Sequence, residues 1–217
     1  MADIINGYKT IFPIPLAQGC TFQPELAKKC AEVSAKEASA GGLHVTFSPM
    51  VDLVRDARWG RVMESTGEDK YLNSLFAAAI VQGYQGKDLK EKGSIASCVK
   101  HFAAYGAPTA GKEYNNVELS LRSLKEDYLP AYQAAIDAGV SMVMTSFNTL
   151  DRIPATGNKW LMQDVLRKQM GFEGVVISDW AAIEELITQG VAQDKEEAAK
   201  LAMVAGVDID MATNVYI

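Results

Sequence analysis

Five short apolar runs punctuate this chain: His44–Ser48, Ile95–Val99, Val140–Met144, Gly174–Ser178 and Val207–Asp210. They are continuous rather than alternating, the pattern of strands buried on both faces. Between them lie longer segments of helical composition, at Pro24–Ala40, Ser74–Gln82, Leu121–Ala138, Trp160–Met170 and Lys195–Ala205. Their ends carry matching punctuation. Ser120 and Asp194 stand where N-caps belong, and Gly139 and Gly206 where helices stop. Strand then helix, repeated, predicts a parallel sheet with right-handed crossovers.

Two architectures satisfy that pattern, an open doubly wound sheet and a closed barrel. No run is followed by the Gly-x-Gly-x-x-Gly turn of a dinucleotide fold. Polar residues instead follow several different runs: Lys100 and His101 after one, Asp179 and Trp180 after another. A barrel gathers its chemistry from many strand ends, so the α/β class narrows to a (β/α)8 TIM-like barrel. A short strand at Asp3–Ile5 brings the number to about six βα units. A full barrel takes eight strands and about 250 residues. The 217 residues therefore read as one domain, 1–217, an incomplete barrel belonging to a longer protein.

Charge and composition remove several functions. The net charge of −6 disfavours nucleic acid and anionic membranes as partners. No stretch reaches the roughly 18–20 apolar residues of a membrane helix. The opening Met-Ala-Asp-Ile-Ile-Asn-Gly carries no signal-peptide pattern, which leaves the compartment open. Cys20, Cys30 and Cys98 are too scattered for a disulfide framework or a metal site, and read as free buried thiols. His44 and His101 are the only histidines, so neither a zinc site nor any other metal or cofactor is expected; His44 reads as a strand histidine. Met142, Met144, Met203 and Met211 read as core or cavity wall.

Asp179 is the leading chemical candidate, since a carboxylate at the end of a buried strand is half desolvated yet open to a central cavity. The competing role is an N-cap for the helical pattern through Ile183 and Leu186. Lys100 and His101 offer donors for neighbouring hydroxyls or an anion, or Lys100 is a Schiff-base amine. The run Arg55-Asp56-Ala57-Arg58-Trp59-Gly60-Arg61, leading to Glu64, interleaves acids with arginines and reads as a self-paired loop with one arginine turned inward.

Taken in order, five segments resemble the N-terminal catalytic domain of glycoside hydrolase family 3, which includes β-glucosidases and β-xylosidases. They are Asp3-Ile4-Ile5-Asn6-Gly7 with Thr10-Ile11-Phe12-Pro13, Phe47-Ser48-Pro49 leading to Arg58-Trp59-Gly60-Arg61, Lys100-His101-Phe102, Met144-Thr145-Ser146-Phe147-Asn148, and Ile177-Ser178-Asp179-Trp180. The resemblance implies a retaining exo-acting β-glycosidase with Asp179 as nucleophile. It implies that Asp3, Arg61, Lys100 and His101 hold hydroxyls of the terminal sugar, with Met144 and Trp180 lining the subsite. It also implies an oligosaccharide or aryl or alkyl β-glycoside as substrate, a C-terminal α/β domain of the parent chain, and a general acid/base brought by that second domain or by a distant loop beyond these residues. Asn6 replaces a common His of the family, and Phe147 replaces a Tyr whose hydroxyl approaches the nucleophile. Asp179 has no second carboxyl partner legible in these residues, so a sugar-binding fragment without turnover is the rival reading.

Overall fold

The computed structural model describes residues 1–217. Its strands are β1 (Val45–Thr46), β2 (Ala96–Phe102), β3 (Met142–Thr145), β4 (Thr149–Leu150), β5 (Ile153–Pro154) and β6 (Val175–Ile177). The helices are α1 (Pro15–Gly19), α2 (Pro24–Ala40), α3 (Lys70–Gln85), α4 (Leu121–Ser123), α5 (Pro130–Asp137), α6 (Glu185–Thr188) and α7 (Lys195–Ala205). Four strands make a parallel sheet in the order β1-β2-β3-β6, with Val99 opposite Val143 and Val143 opposite Val176. Single parallel bridges extend it at both edges, Ala2 to Thr46 and Ile177 to Ile209. Parallel segments therefore stand side by side in chain order, as along the wall of a TIM-like barrel.

The two faces of the sheet divide the core. Val99, Val143 and Val176 point outward, into a cluster with Val81 of α3, Tyr132 of α5 and Ala198 of α7. Their neighbours Cys98, Met142, Met144 and Ile177 point inward with Phe47. This alternation explains why the strand runs are apolar throughout. The caps form as the sequence predicts: Ser120 Oγ accepts from Ser123 N at 3.0 Å and Asp194 Oδ1 from Glu197 N at 2.9 Å. Gly139 and Gly206 take the left-handed backbone, φ +83° and +101°.

Several predicted boundaries move. Asp3–Ile5 and Val207–Asp210 are not full strands, since each edge segment is held by a single bridge. The helix predicted over Leu121–Ala138 is interrupted, because Pro130 has no N–H to bond the preceding turn. Between α4 and α5 the chain winds wider at Leu124–Tyr128, with Leu129 N bonding Leu124 O at 3.0 Å. The same wide winding fills Trp160–Gln169, closed by Met170 N to Val165 O at 2.9 Å. The antiparallel pair β4–β5 had no counterpart in the sequence reading. No helix is long and apolar enough to cross a membrane.

Candidate active site

The sequence places Lys100 and His101 just beyond a strand, but they lie within it, near the C-terminal end of β2. The register explains how Lys100 reaches the cavity while His101 comes up behind it. After Val99 pairs with Val143, the next partners are Phe102 and Thr145, so β2 carries an extra residue there. Such an irregularity re-aims side chains that regular pairing would alternate. Lys100 is 4% exposed, and its Nζ donates to Asp3 Oδ1 at 2.6 Å. An ammonium held against a carboxylate is a gripping group rather than the free amine a Schiff base requires.

Asp179 follows β6 and is 7% exposed. Its backbone is fixed from both sides. Ser178 N donates to Ile209 O at 2.9 Å, Met211 N to Ser178 Oγ at 2.8 Å, and Ala182 N to Asp179 O at 3.1 Å. Oδ1 accepts from Trp180 N at 2.7 Å, whereas Oδ2 is buried without a partner. The N-cap role does not materialise, because α6 begins only at Glu185. His101 lies behind Asp179, 1% exposed, with Nε2 3.5 Å from Asp179 Oδ2.

Two arginines of the loop pair within it, Arg58 with Asp56 and Arg61 with Glu64, whereas Arg55 pairs outside it with Asp127. Only Arg61 reaches the cavity. Both its Nε and Nη2 donate to Glu64, at 2.7 and 2.9 Å, and the guanidinium lies 5.6 Å from the Tyr105 ring centre. The loop thus aims one oriented cation inward.

These groups meet. A cavity of about 280 Å³ is lined by Asp3, Arg61, Lys100, Met144, Asp179 and Trp180, together with Ile5, Phe47, Glu64 and Met211. Every site residue singled out in the sequence lines it except His101, which backs it. Trp180 is 67% exposed at the rim. Phe147 stays out of the wall, stacked edge-on between Tyr105 and Tyr114. Carboxylates beside a Lys and an Arg, with apolar walls, can hold a neutral ligand rich in hydroxyls.

Sequence reasoning missed two acidic groups. Asp52, buried behind His101, accepts from its Nδ1 at 2.7 Å; burial pushes the Asp52 carboxyl up to about 7, opposed by Arg61 and by the His101 N–H. A lone Asp between Val51 and Leu53 was the signal available. Glu185 is raised by burial and by the charge of Asp179. Other readings are corrected: His44 is exposed ahead of β1, Cys20 is exposed, and Met203 is exposed on α7.

The whole chain, residues 1–217, matches the family model described as the glycosyl hydrolase family 3 N terminal domain. A periplasmic beta-glucosidase of Salmonella typhimurium is 46% identical over 99% of this chain and 28% of its own length. A beta-xylosidase of Formosa agariphila is 38% identical over 94% of this chain and 29% of its own length. The crystal structure of a beta-glucosidase from Listeria innocua, in complex with isofagomine, superposes with a TM-score of 0.98. It is 61% identical and covers 100% of this chain and 31% of the Listeria chain. A mutant of that enzyme was solved with laminaribiose. The chain thus spans about 30% of the length of the relatives it matches.

Proposed function

The chain belongs to glycosyl hydrolase family 3, as its N-terminal domain, and from that premise we propose that it forms the sugar-binding and nucleophile-bearing part of a retaining, exo-acting β-glycosidase of β-glucosidase type. The observation that carries this reading is the Asp179 carboxylate set in the wall of one cavity together with Asp3, Lys100 and Arg61. A volume of about 280 Å³ suits one terminal ring rather than a long stretch of polymer. Sugar hydroxyls offer donors to Asp3 and acceptors to Lys100 and Arg61, contacts that tighten as the oxocarbenium-like transition state develops. Met144 and Trp180 supply apolar surface for the ring and the leaving group.

In the first step a carboxylate oxygen of Asp179 bonds to the anomeric carbon as the glycosidic C–O bond breaks. The leaving oxygen keeps the bonding pair and takes a proton from a general acid. In the second step water, deprotonated by the same group, displaces Asp179 and yields the sugar with its configuration retained. The other carboxylates in the cavity wall, Asp3 and Glu64, are each bound to a cation, an arrangement suited to holding rather than to proton delivery. The acid/base is assigned to a segment outside these 217 residues, in a C-terminal α/β domain of the parent chain.

The test is covalent trapping. A 2,4-dinitrophenyl 2-deoxy-2-fluoro-β-glucoside departs without acid assistance, and the glycosyl ester it leaves is slow to hydrolyse. Mass spectrometry of the digested protein is expected to place the label on Asp179, and Asp179→Asn to abolish it. Label on another carboxylate overturns the nucleophile assignment. Binding of glucose with no label at all favours the rival, a sugar-binding fragment without turnover.

A further inference from the structure

Asp52 is one of the most deeply buried charged groups of the chain, 1% exposed, and touches no part of the cavity. Two N–H groups of His101 converge on one oxygen of its carboxylate, and the Tyr132 hydroxyl lies within reach of the other. Oδ2 accepts from the His101 backbone N at 3.1 Å and from His101 Nδ1 at 2.7 Å, and Oδ1 from the Tyr132 hydroxyl at 3.2 Å. The Tyr132 hydroxyl also bonds the His101 carbonyl oxygen. The Asp52 backbone is itself pinned, its carbonyl accepting from Ser65 Oγ at 2.8 Å and that of Val51 from Asn73 Nδ2 at 2.8 Å.

A carboxylate only accepts, so the ring nitrogen facing it carries the proton. Oδ2 already accepts the His101 backbone N–H, so it stays an acceptor toward Nδ1 even when a proton sits on Oδ1. Nε2 is then left with its lone pair, 3.5 Å from Asp179 Oδ2. Both atoms are buried and neither has a partner. Two acceptors facing each other cannot satisfy one another, so in this tautomer both lone pairs stay unengaged. Burial also pushes the His101 imidazole well below its ordinary pKa, which keeps Nε2 bare.

We propose that Asp52 is a positioning residue: it fixes His101 as the Nδ1–H tautomer, so that Nε2 turns a lone pair rather than a proton toward Asp179 Oδ2. With the opposite tautomer, Nε2–H would point at Oδ2 and tie up a lone pair of the nucleophilic carboxylate. The catalytic consequence rests on the reading of Asp179 as nucleophile, whereas the tautomer does not.

The chain has two histidines, so ¹⁵N-histidine labelling of a His44→Gln background leaves His101 as the sole imidazole signal. Its spectrum is expected to show a protonated Nδ1 and a bare Nε2. Asp52→Asn still offers a carbonyl oxygen to both His101 N–H groups and keeps this pattern. Asp52→Leu removes the acceptor and moves the proton to Nε2. On the trapping reaction, Asp52→Leu slows labelling about tenfold or more, Asp52→Asn slows it less, and neither slows it further in a His101→Phe background. A protonated Nε2 in the unaltered ring, or the same slowing with His101 absent, overturns the proposal. The Nδ1–H tautomer with no labelling of the unaltered chain would instead sink the glycosidase reading and leave the tautomer assignment standing.

Discussion

Asp179 shows how two atoms of one carboxylate acquire different jobs: Oδ1 is tied to the Trp180 N–H, while Oδ2 has no partner. Glu185 is the other carboxyl that feels this charge, and burial together with Asp179 raises it above its ordinary value. A raised carboxyl near a nucleophile is the usual signature of a general acid, yet Glu185 is absent from the cavity wall. Glu185→Gln is therefore expected to change the trapping rate of Asp179 by less than about tenfold, whereas loss of acid assistance costs about 10²–10⁴-fold on substrates that need it. If Glu185→Gln in a polypeptide of the relatives' length lowers turnover of a phenyl glucoside by such a factor, Glu185 is the acid. At this scale the sequence was legible where a polar residue abruptly follows an apolar run, as at Asp179. It was not legible at Asp52, whose partners His101 and Tyr132 lie 49 and 80 positions away.

Elements were legible where hydrogen bonding is local. The caps at Ser120 and Asp194 each bond a residue three positions on, and both form. The wide turns at Leu124–Tyr128 and Trp160–Gln169 were not legible, because a widened helix keeps an ordinary helical composition. Packing between elements also overrides propensity. Gly83 sits within α3, where Ala is intrinsically better by about 1 kcal/mol. A Cβ there would lie 2.5 Å from the Lys28 carbonyl oxygen and 2.7 Å from Ala31 Cβ on α2, so the two helices would have to separate. Gly83→Ala is expected to destabilise the fold, the overpacking cost of about 1–3 kcal/mol exceeding the propensity gain, and thermal unfolding reads the sign directly. A second junction is electrostatic. Asp127 accepts from Lys70 Nζ at 2.8 Å and Arg55 Nη1 at 3.3 Å, and these bonds hold its carboxyl below its ordinary value. Its folded pKa is the lower one, so its contribution is present above the unfolded value and lost as pH falls through the folded one. Asp127→Asn should flatten the fall of Tm between about pH 5 and about pH 3; an unchanged acid limb would show that this pair does not stabilise the native state.

For the whole molecule, the parallel order of the sheet follows from the repeated strand-helix pattern, and family membership fits it. The cavity draws on widely separated segments, from Asp3 at one sheet edge to Met211 beyond the other. That convergence is what a barrel supplies, and no local pattern encodes the distances across it. The division of labour proposed here makes a prediction at the same scale. If Asp179 is the nucleophile and the proton donor lies elsewhere in a longer polypeptide, dependence on the leaving group should separate the two. The 217-residue chain alone should form the fluoroglucosyl ester from the dinitrophenyl reagent, whose departing phenolate needs no proton. It should leave phenyl β-glucoside intact, because phenoxide is a far poorer leaving group than dinitrophenolate and relies on general acid assistance worth about 10²–10⁴-fold. A polypeptide of the relatives' length should act on both. Comparable hydrolysis of the phenyl glucoside by the short chain would place the acid within these residues and return Glu64 and Glu185 to consideration as its source.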